Sequence, residues 1–384
     1  LFNDTQVAFE IKSDSELERA YFLFKMIQNE PLVRIGTAVT NFALNTKLPV
    51  EKLIRSTVFD HFCGGVTEED CLPTIEKMHT KEVHSILDYS VEGKESEEQF
   101  ENALEKTLKT IEFAKEKASI PFAVFKPTGF GRFALYQKLT EKQALTEEEK
   151  TEWNRVVERY HKVCELAQKL NVPLLIDAEE SWMQDAADEL VEDLMEQYNK
   201  EKAIVFNTLQ MYRWDRMDYL KKLHEKAKEK DFHIGLKIVR GAYMEKERER
   251  AEENGYKSPI CIDKPTTDTN YDDALKYMAS HEKMAVFAGT HNEDSSYLLM
   301  ELAKREQLDK KDSRLWFGQL YGMSDHISFN LAKQGYNVAK YLPFGPVRDV
   351  MPYLIRRAEE NTSVAGQTSR ELNLLKTERK RRKL

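Results

Sequence analysis

Short apolar runs that alternate with long charged segments are the feature that most limits how this sequence can fold. The alternation begins near residue 83, and several of the runs are rich in β-branched side chains. We predict eight strands, at 85–89, 123–126, 174–177, 203–207, 234–239, 284–288, 315–319 and 337–341. The intervening segments, such as 97–117 and 147–169, are rich in Glu, Lys, Leu and Ala and predict amphipathic helices.

This alternation indicates an α/β fold with a parallel sheet, because parallel strands need long crossover connections. Eight strand–helix units favour closure into a (β/α)8 TIM-like barrel. A dinucleotide-binding sheet is disfavoured, since no G-x-G-x-x-G motif follows the first strand. Residues before 83 show helical spacing instead. We therefore predict an N-terminal helical arm over 1–83, a barrel over 84–361 and a basic C-terminal tail over 362–384.

Two segments outside the regular alternation carry their own predictions. Residues 243–267 combine mixed charge with Gly255, Pro259 and Pro265, which indicates a long functional loop. The basic residues 379–383 indicate a disordered, solvated tail, with contact to anionic lipid headgroups as the alternative.

Bulk composition limits the class of protein and its location. The net charge of −8 argues against nucleic acid as a partner. No apolar run approaches the roughly 20 residues of a membrane-spanning helix. The four cysteines are scattered without a metal-binding spacing, so we expect no metal site and a reducing compartment. The expected location is cytoplasmic, with peripheral contact at the inner membrane as an alternative, or mitochondrial for a eukaryotic source.

Polar side chains end most of the predicted strands. In barrel enzymes the active site lies at the C-terminal ends of the strands. Taken singly, Lys126 is compatible with a surface lysine, Asp177 with a helix cap and His291 with a core histidine. Together they indicate a small-molecule site, because polar groups gathered at one face are costly unless a ligand or partner satisfies them.

The segment after the last strand contains a candidate anion-binding group. Arg356, Arg357 and Glu360 can share one side of a helix over 351–361, and Gly345-Pro346 provides a sharp turn before it. One interpretation is a surface ion-pair face. The other is a guanidinium pair that binds a carboxylate or phosphate.

Six motifs, taken in order, resemble those of the proline dehydrogenase family. The resemblance covers roughly residues 120–365 and coincides with the predicted strand ends. The motifs are Ile176-Asp177-Ala178-Glu179-Glu180, Val239-Arg240-Gly241-Ala242-Tyr243, Thr290-His291-Asn292, Gln319-Leu320-Tyr321-Gly322-Met323, Tyr341-Leu342-Pro343-Phe344-Gly345 and Arg356-Arg357-Ala358-Glu359-Glu360-Asn361.

The resemblance implies non-covalently bound FAD on a distorted (β/α)8 barrel. It implies that L-proline is oxidised to Δ1-pyrroline-5-carboxylate by hydride transfer to flavin N5, the first step of proline catabolism. Electrons are then expected to pass to a membrane quinone. In this chemistry the cofactor accepts the hydride and the protein supplies position and electric field.

Roles follow residue by residue from the resemblance. Arg356, Arg357 and Lys126 resemble the group that holds the proline carboxylate, and Glu360 the acid that orients the arginines. Tyr243, Leu320 and Tyr341 resemble the walls around the proline ring, and Asp177 an acid bonded to a tyrosine of that wall. The flavin-contacting positions are matched by Gln210, Lys237, Arg240, Gly241, Ala242, Thr290, His291, Asn292 and Gln319.

Two of these positions carry further expectations. Tyr341 is expected to lie against the ring carbon that bears the hydroxyl of 4-hydroxyproline, so proline should be preferred. Lys237 stands where the bifunctional bacterial enzymes have Arg, and an ammonium cannot reproduce a planar fork.

Three other functions stay open at this point. A Schiff-base aldolase would use Lys126 or Lys237 as its nucleophile. A flavin-dependent folate reductase would bind flavin on a related barrel. A helical adaptor would bind partner proteins through its charged faces, but it would leave the polar strand ends unexplained.

Overall fold

The computed structural model describes residues 1–29, 58–89, 95–363 and 367–384, with side chains described except over 356–367. The helices are α1 (Thr5–Phe9), α2 (Asp14–Ile27), α3 (Glu68–His79), α4 (Glu97–Lys115), α5 (Phe133–Thr140), α6 (Glu147–Leu170), α7 (Ser181–Tyr198), α8 (Arg216–Lys230), α9 (Met244–Asn254), α10 (Lys264–Ala279), α11 (Glu293–Arg305), α12 (Asp325–Lys333), α13 (Val347–Ser363) and α14 (Gln367–Arg382). The strands are β1 (Val83–Tyr89), β2 (Ala123–Phe125), β3 (Leu174–Ile176), β4 (Val205–Gln210), β5 (Ile234–Val239), β6 (Met284–Gly289), β7 (Leu315–Leu320) and β8 (Val338–Phe344).

Several helices begin at capping boxes that are visible in the sequence. At the start of α6, Thr146 Oγ1 accepts from the backbone N–H of Glu149, and the Glu149 carboxylate accepts from the N–H of Thr146. These reciprocal bonds satisfy backbone donors that a helix N-terminus otherwise leaves unpaired. The same helix ends at Asn171, which adopts a left-handed conformation with φ of 57°.

The strands of the described chain form one eight-stranded sheet in the order β1-β8-β7-β6-β5-β4-β3-β2. The strand pairs whose register is resolved are parallel, as in Phe125 opposite Ile176 and Thr208 opposite Lys237. The predicted α/β fold of the TIM-like (β/α)8 class is confirmed. Two strands extend three residues beyond their predicted ends, to Gln210 and Phe344, because buried polar and aromatic residues continue the ladder after the apolar run stops.

The chain divides into two compact units, residues 93–318 and residues 1–92 with 319–384. In the first, β2 to β6 are lined with buried apolar residues and flanked by α4 to α11. In the second, β1 pairs with β8, and a separate apolar cluster joins α1, α2 and α14 through residues that include Phe9, Phe24 and Leu375. The predicted domain boundaries at 83 and 361 stay predictions.

The segment predicted as a long loop over 243–267 is mostly helical, so that prediction was wrong. Helix α9 occupies Met244–Asn254 and ends at Gly255 in a left-handed conformation, and α10 begins at Lys264. The residues of α9 are mainly Glu, Arg and Lys, which have good helix propensity. They lack the apolar periodicity by which the other helices are found.

The disordered-tail interpretation was also wrong, because residues of the tail form α14. Arg379 pairs with Glu18 of α2 at 2.5 Å, and Arg382 donates to the backbone oxygen of Phe9 at 2.8 Å. Residues 30–57, part of the predicted N-terminal arm, lie outside the described chain, which resumes at Val58. No helix among the described residues is long and apolar enough to cross a membrane.

Candidate active site

A buried ion triad lies at the carboxyl ends of the strands in residues 93–318. Lys126 and Asp177 directly follow β2 and β3, and the register of those strands places the two side by side. Lys126 Nζ lies 2.7 Å from Asp177 Oδ2. Lys237, within β5, reaches across β4 to the other carboxylate oxygen of Asp177. Three residues assigned to the site from sequence therefore meet in one hydrogen-bonded group.

The electrostatics of this triad favour an ionised carboxylate. Burial alone would raise the pKa of Asp177, but the ammonium groups of Lys126 and Lys237 outweigh it and lower the pKa from its ordinary 3.8 to about 2. With Asp177 ionised, the three side chains sum to one positive charge. The exposed fraction of the side chain is 20% for Lys126, 13% for Asp177 and 8% for Lys237. Lys126 is mostly buried, so its interpretation as a surface lysine was wrong. The interpretation of Asp177 as a helix cap was also wrong, because Glu180 is the N-cap residue of α7.

Glu179 is a buried acid near Lys126 whose contacts the sequence prediction missed. Its carboxylate accepts from the backbone N–H and the hydroxyl of Thr128, at 2.9 and 2.7 Å. Burial is the largest influence on this group and raises its pKa to about 7, against the lowering effect of the Thr128 bonds. Thr128 follows Lys126 by two residues as Glu179 follows Asp177, so the strand register carried a signal for this contact. Glu179 thus holds the turn that follows Lys126.

Gln210, at the end of β4, connects two strand ends through its side-chain amide. Its Nε2 donates to the backbone oxygen of Glu179 at 2.7 Å, and its Oε1 accepts from the backbone N–H of Ala242 at 3.0 Å. The neighbouring Gly241 has φ of 140°, and a Cβ there would lie 2.4 Å from the Tyr212 ring. This turn therefore requires glycine.

Arg240 organises a second polar group after β5. Its guanidinium donates to Asp268 Oδ1 at 2.6 Å, Thr290 Oγ1 at 2.9 Å and Ser295 Oγ at 3.0 Å. It also lies over the Tyr271 ring, 4.4 Å from the centroid. Arg240 and Thr290, which the sequence assigned to the same site, are thus hydrogen-bonded to each other.

The remaining predicted residues of this unit surround that group or flank α9. Asn292 is the N-cap residue of α11 and accepts from the N–H of Ser295 at 2.9 Å. His291 precedes it and is half-buried, so it is not a fully buried core histidine. Tyr243 is half-buried immediately before α9.

The other unit contains Gln319 and Leu320, at the end of β7, and Tyr341, in the middle of β8. Gln319 is buried, and its Oε1 accepts from Ser328 Oγ at 2.8 Å. Tyr341 is also buried, and its backbone oxygen accepts from the N–H of Tyr321 at 2.8 Å. Leu320 is partly buried. Helix α13 includes positions 356, 357 and 360, as predicted, but the side chains of Arg356, Arg357 and Glu360 lie outside the described residues.

Comparison with solved structures agrees with this architecture. Proline utilization A from Bdellovibrio bacteriovorus, inactivated by N-propargylglycine, superposes with a TM-score of 0.73 at 20% sequence identity. The match covers 96% of this chain but 40% of that larger protein. At this identity the similarity shows the barrel fold alone.

Sequence comparison identifies the family. The family model described as proline dehydrogenase matches residues 71–370. The carbapenem antibiotics biosynthesis protein CarD of Pectobacterium carotovorum is 38% identical over 328 residues, 85% of each chain. Mitochondrial proline dehydrogenase 1 of Dictyostelium discoideum is 31% identical over 99% of this chain and 74% of its own length. Mitochondrial proline dehydrogenase 2 of Arabidopsis thaliana is 32% identical over 92% and 84%. The chain belongs to the proline dehydrogenase family.

Proposed function

We propose that this protein uses bound FAD to oxidise L-proline to Δ1-pyrroline-5-carboxylate and passes the electrons to a membrane quinone. The observation that carries the proposal is the Lys126–Asp177–Lys237 triad at the strand ends of a chain in the proline dehydrogenase family. The net charge of the triad is positive, which is the charge needed to bind the negatively charged carboxylate of proline.

The donor groups present fit FAD at two places. Reduction adds negative charge to a flavin ring, and the ammonium of Lys237 is a suitable neighbour for it. The Arg240 guanidinium and the N-terminus of α11 are donors of the type that bind phosphate groups. The flavin-contacting set proposed here is Gln210, Lys237, Arg240, Gly241, Ala242, Thr290, His291, Asn292 and Gln319. When bound, FAD would supply the hydride acceptor at N5.

The protein's own contribution is position and charge. Lys126 would bind the substrate carboxylate, a role also proposed for Arg356 and Arg357, with Glu360 orienting the arginines. Asp177 holds Lys126 and Lys237 in fixed orientations through both carboxylate oxygens. Tyr243, Leu320 and Tyr341 would enclose the ring and exclude water.

The Schiff-base alternative is disfavoured by the same triad. An amine nucleophile must lose its proton before it attacks a carbonyl. Lys126 and Lys237 both donate to one ionised carboxylate, which is a role of the protonated amine. Family membership disfavours both the folate reductase and the adaptor.

The location follows from the proposed electron acceptor. A membrane quinone requires at least transient contact with a membrane surface. The relatives from Dictyostelium and Arabidopsis are named as mitochondrial proteins, so a mitochondrial location is proposed for a eukaryotic source and the inner membrane surface for a bacterial one.

The visible spectrum of the purified protein tests this function. We expect flavin absorption bands, and anaerobic addition of L-proline should bleach them. D-proline is the matched control and should bleach them far more slowly. A protein that takes up no FAD on reconstitution, or whose flavin L-proline does not reduce, would contradict the proposal.

A further inference from the structure

A second buried ion triad lies in the unit formed by residues 1–92 and 319–384. Asp325, at the start of α12, pairs with Lys340 of β8 at 2.7 Å and with Lys12 at 3.1 Å. The side chain of Lys340 is 0% exposed, that of Asp325 7% and that of Lys12 15%. Burying these charges carries a large desolvation cost, so a stabilising effect on the fold does not by itself explain the triad. The contacts of the triad indicate a different role.

Lys340 connects β8 to the end of β7, and these two strands carry the proposed substrate-wall residues Tyr341 and Leu320. Its Nζ donates to the backbone oxygen of Met323 at 2.6 Å and to that of Leu320 at 3.3 Å. The residue after it is Tyr341, whose backbone oxygen accepts from the N–H of Tyr321 at 2.8 Å. The triad therefore fixes loop 320–324 against β8.

The loop itself is tightly constrained. Gly322 has φ of 78°, and a Cβ there would lie 2.4 Å from the backbone oxygen of His61. His61 Nε2 lies 2.9 Å from the backbone oxygen of Gly322, and Ser324 adopts a left-handed conformation with φ of 52°. A loop this closely packed has few alternative positions, so a change at the triad should pass to Leu320 rather than be absorbed locally.

Both ends of the chain support this triad. Lys12 lies between α1 and α2, outside the region matched by the family model, and its backbone oxygen accepts from Arg382 of α14 at 2.7 Å. Glu371 of α14 is buried and accepts from the backbone N–H of Ser324 at 3.1 Å. Helix α14 thus contacts the loop directly through Glu371, and the segment between α1 and α2 reaches the triad through Lys12.

We propose that Lys12, Asp325 and Lys340 are positioning residues that set the substrate wall at Leu320 and Tyr341. The terminal helices thereby determine how closely the wall fits the proline ring. This inference rests on the proposed function, because it concerns substrate fit at those two residues. In this role the triad acts through the backbone of loop 320–324 and through β8.

The test is Lys12→Met in the flavin-loaded enzyme, with Lys81→Met as the matched control. Lys12→Met leaves Asp325 paired with Lys340, so the core keeps a neutral ion pair. Lys81 forms an exposed pair with Glu10 in the same N-terminal region. We expect Lys12→Met to raise the KM for L-proline about tenfold and to narrow the preference for proline over 4-hydroxyproline, because a displaced wall fits the ring less closely. The value of kcat should change less than about twofold, because the wall contacts substrate and transition state alike.

Two further variants keep the test decisive. Lys12→Arg preserves the charge, so its KM for L-proline should be close to that of the wild type. A nonspecific loss of stability at this position would not predict such a recovery. Asp325→Glu retains both ion pairs but lengthens the side chain, and it should narrow the substrate preference even if Lys12→Met does not fold.

The outcomes separate this inference from the proposed function. A Lys12→Met enzyme with normal flavin content, normal KM and unchanged substrate preference would overturn it, as would an Asp325→Glu enzyme with unchanged preference. If L-proline fails to reduce the flavin of the wild-type protein, the proposed function itself fails and the inference falls with it.

Discussion

Replacing Asp177 by Asn tests whether the triad at the strand ends is an energetic unit of the folded protein. The change keeps the size and shape of the side chain but removes its charge. Lys126 and Lys237 would then share a buried space without the carboxylate between them. The net charge of the three positions would rise from +1 to +2.

The size of the effect follows from the contacts. The pKa of Asp177 falls from 3.8 to about 2. At about 1.4 kcal/mol per pH unit this corresponds to roughly 2 kcal/mol of stability. Because the folded-state pKa is lowered, that stability is present above pH 3.8 and is lost as the pH falls through about 2. Asn also leaves the two ammonium groups facing each other, so the total cost should reach about 3–5 kcal/mol.

Thermal unfolding at pH 7, with and without added FAD, measures this cost. We expect Asp177→Asn to lower the Tm by roughly 5 °C, because a chain of 384 residues has a large unfolding entropy. Asp231→Asn, which removes an exposed ion pair to Lys283, is the control and should leave the Tm nearly unchanged.

A double variant makes the charge argument sharper. Asp177→Asn combined with Lys237→Met returns the net charge of the three positions to +1 and should recover part of the lost stability. A single variant that melts within about 2 °C of the wild type, or a double variant less stable than the single one, would refute the reasoning.

Three further predictions concern other parts of the site. Burial raises the pKa of Glu179 from 4.5 to about 7, so its contribution to stability is present below pH 4.5 and is lost as the pH rises to about 7. In melting experiments from pH 4.5 to 8, Glu179→Gln should remove about 3 kcal/mol of this pH dependence. The same dependence of stability on pH in the wild type and the variant would contradict this. Gly241→Ala should cost at least about 2 kcal/mol and lower flavin content, because φ is 140° and the new Cβ meets Tyr212; normal melting and flavin content would refute this. Arg356→Met or Arg357→Met should reduce kcat/KM for L-proline about 30-fold or more with a normal Tm, whereas a surface ion pair would leave kinetics unchanged.

The sequence located the strand ends well because apolar runs and their polar endings are local signals. Lys126 and Asp177 each follow such a run, and both lie where expected. The bridge from Lys237 to Asp177 was not predictable from those signals. It depends on which face of β5 the lysine occupies and on the neighbours of β4, which only the folded sheet determines.

Charged segments were the weakest part of the sequence prediction. Helix α9 and helix α14 contain few apolar residues, so neither shows an apolar period. Tertiary contacts decide their structure, as when Arg382 bonds to the backbone oxygens of Phe9 and Lys12. The triad around Asp325 was missed because its members lie in three separate segments that only the folded chain brings together.

The two lysine–aspartate–lysine triads have the same composition but different surroundings, and the difference bears on function. Asp325 and Lys340 are almost sealed from solvent, and Glu371 lies near them as a further acidic group. Lys340 donates to the backbone oxygens of Met323 and Leu320, whereas Lys126 is 20% exposed and directly follows β2. A deeply buried ammonium that donates to backbone oxygens suits a positioning role, whereas an ammonium that reaches solvent at a strand end suits anion binding. On this basis the triad at Asp177 is the one to expect in contact with substrate, and the triad at Asp325 acts through the backbone of loop 320–324.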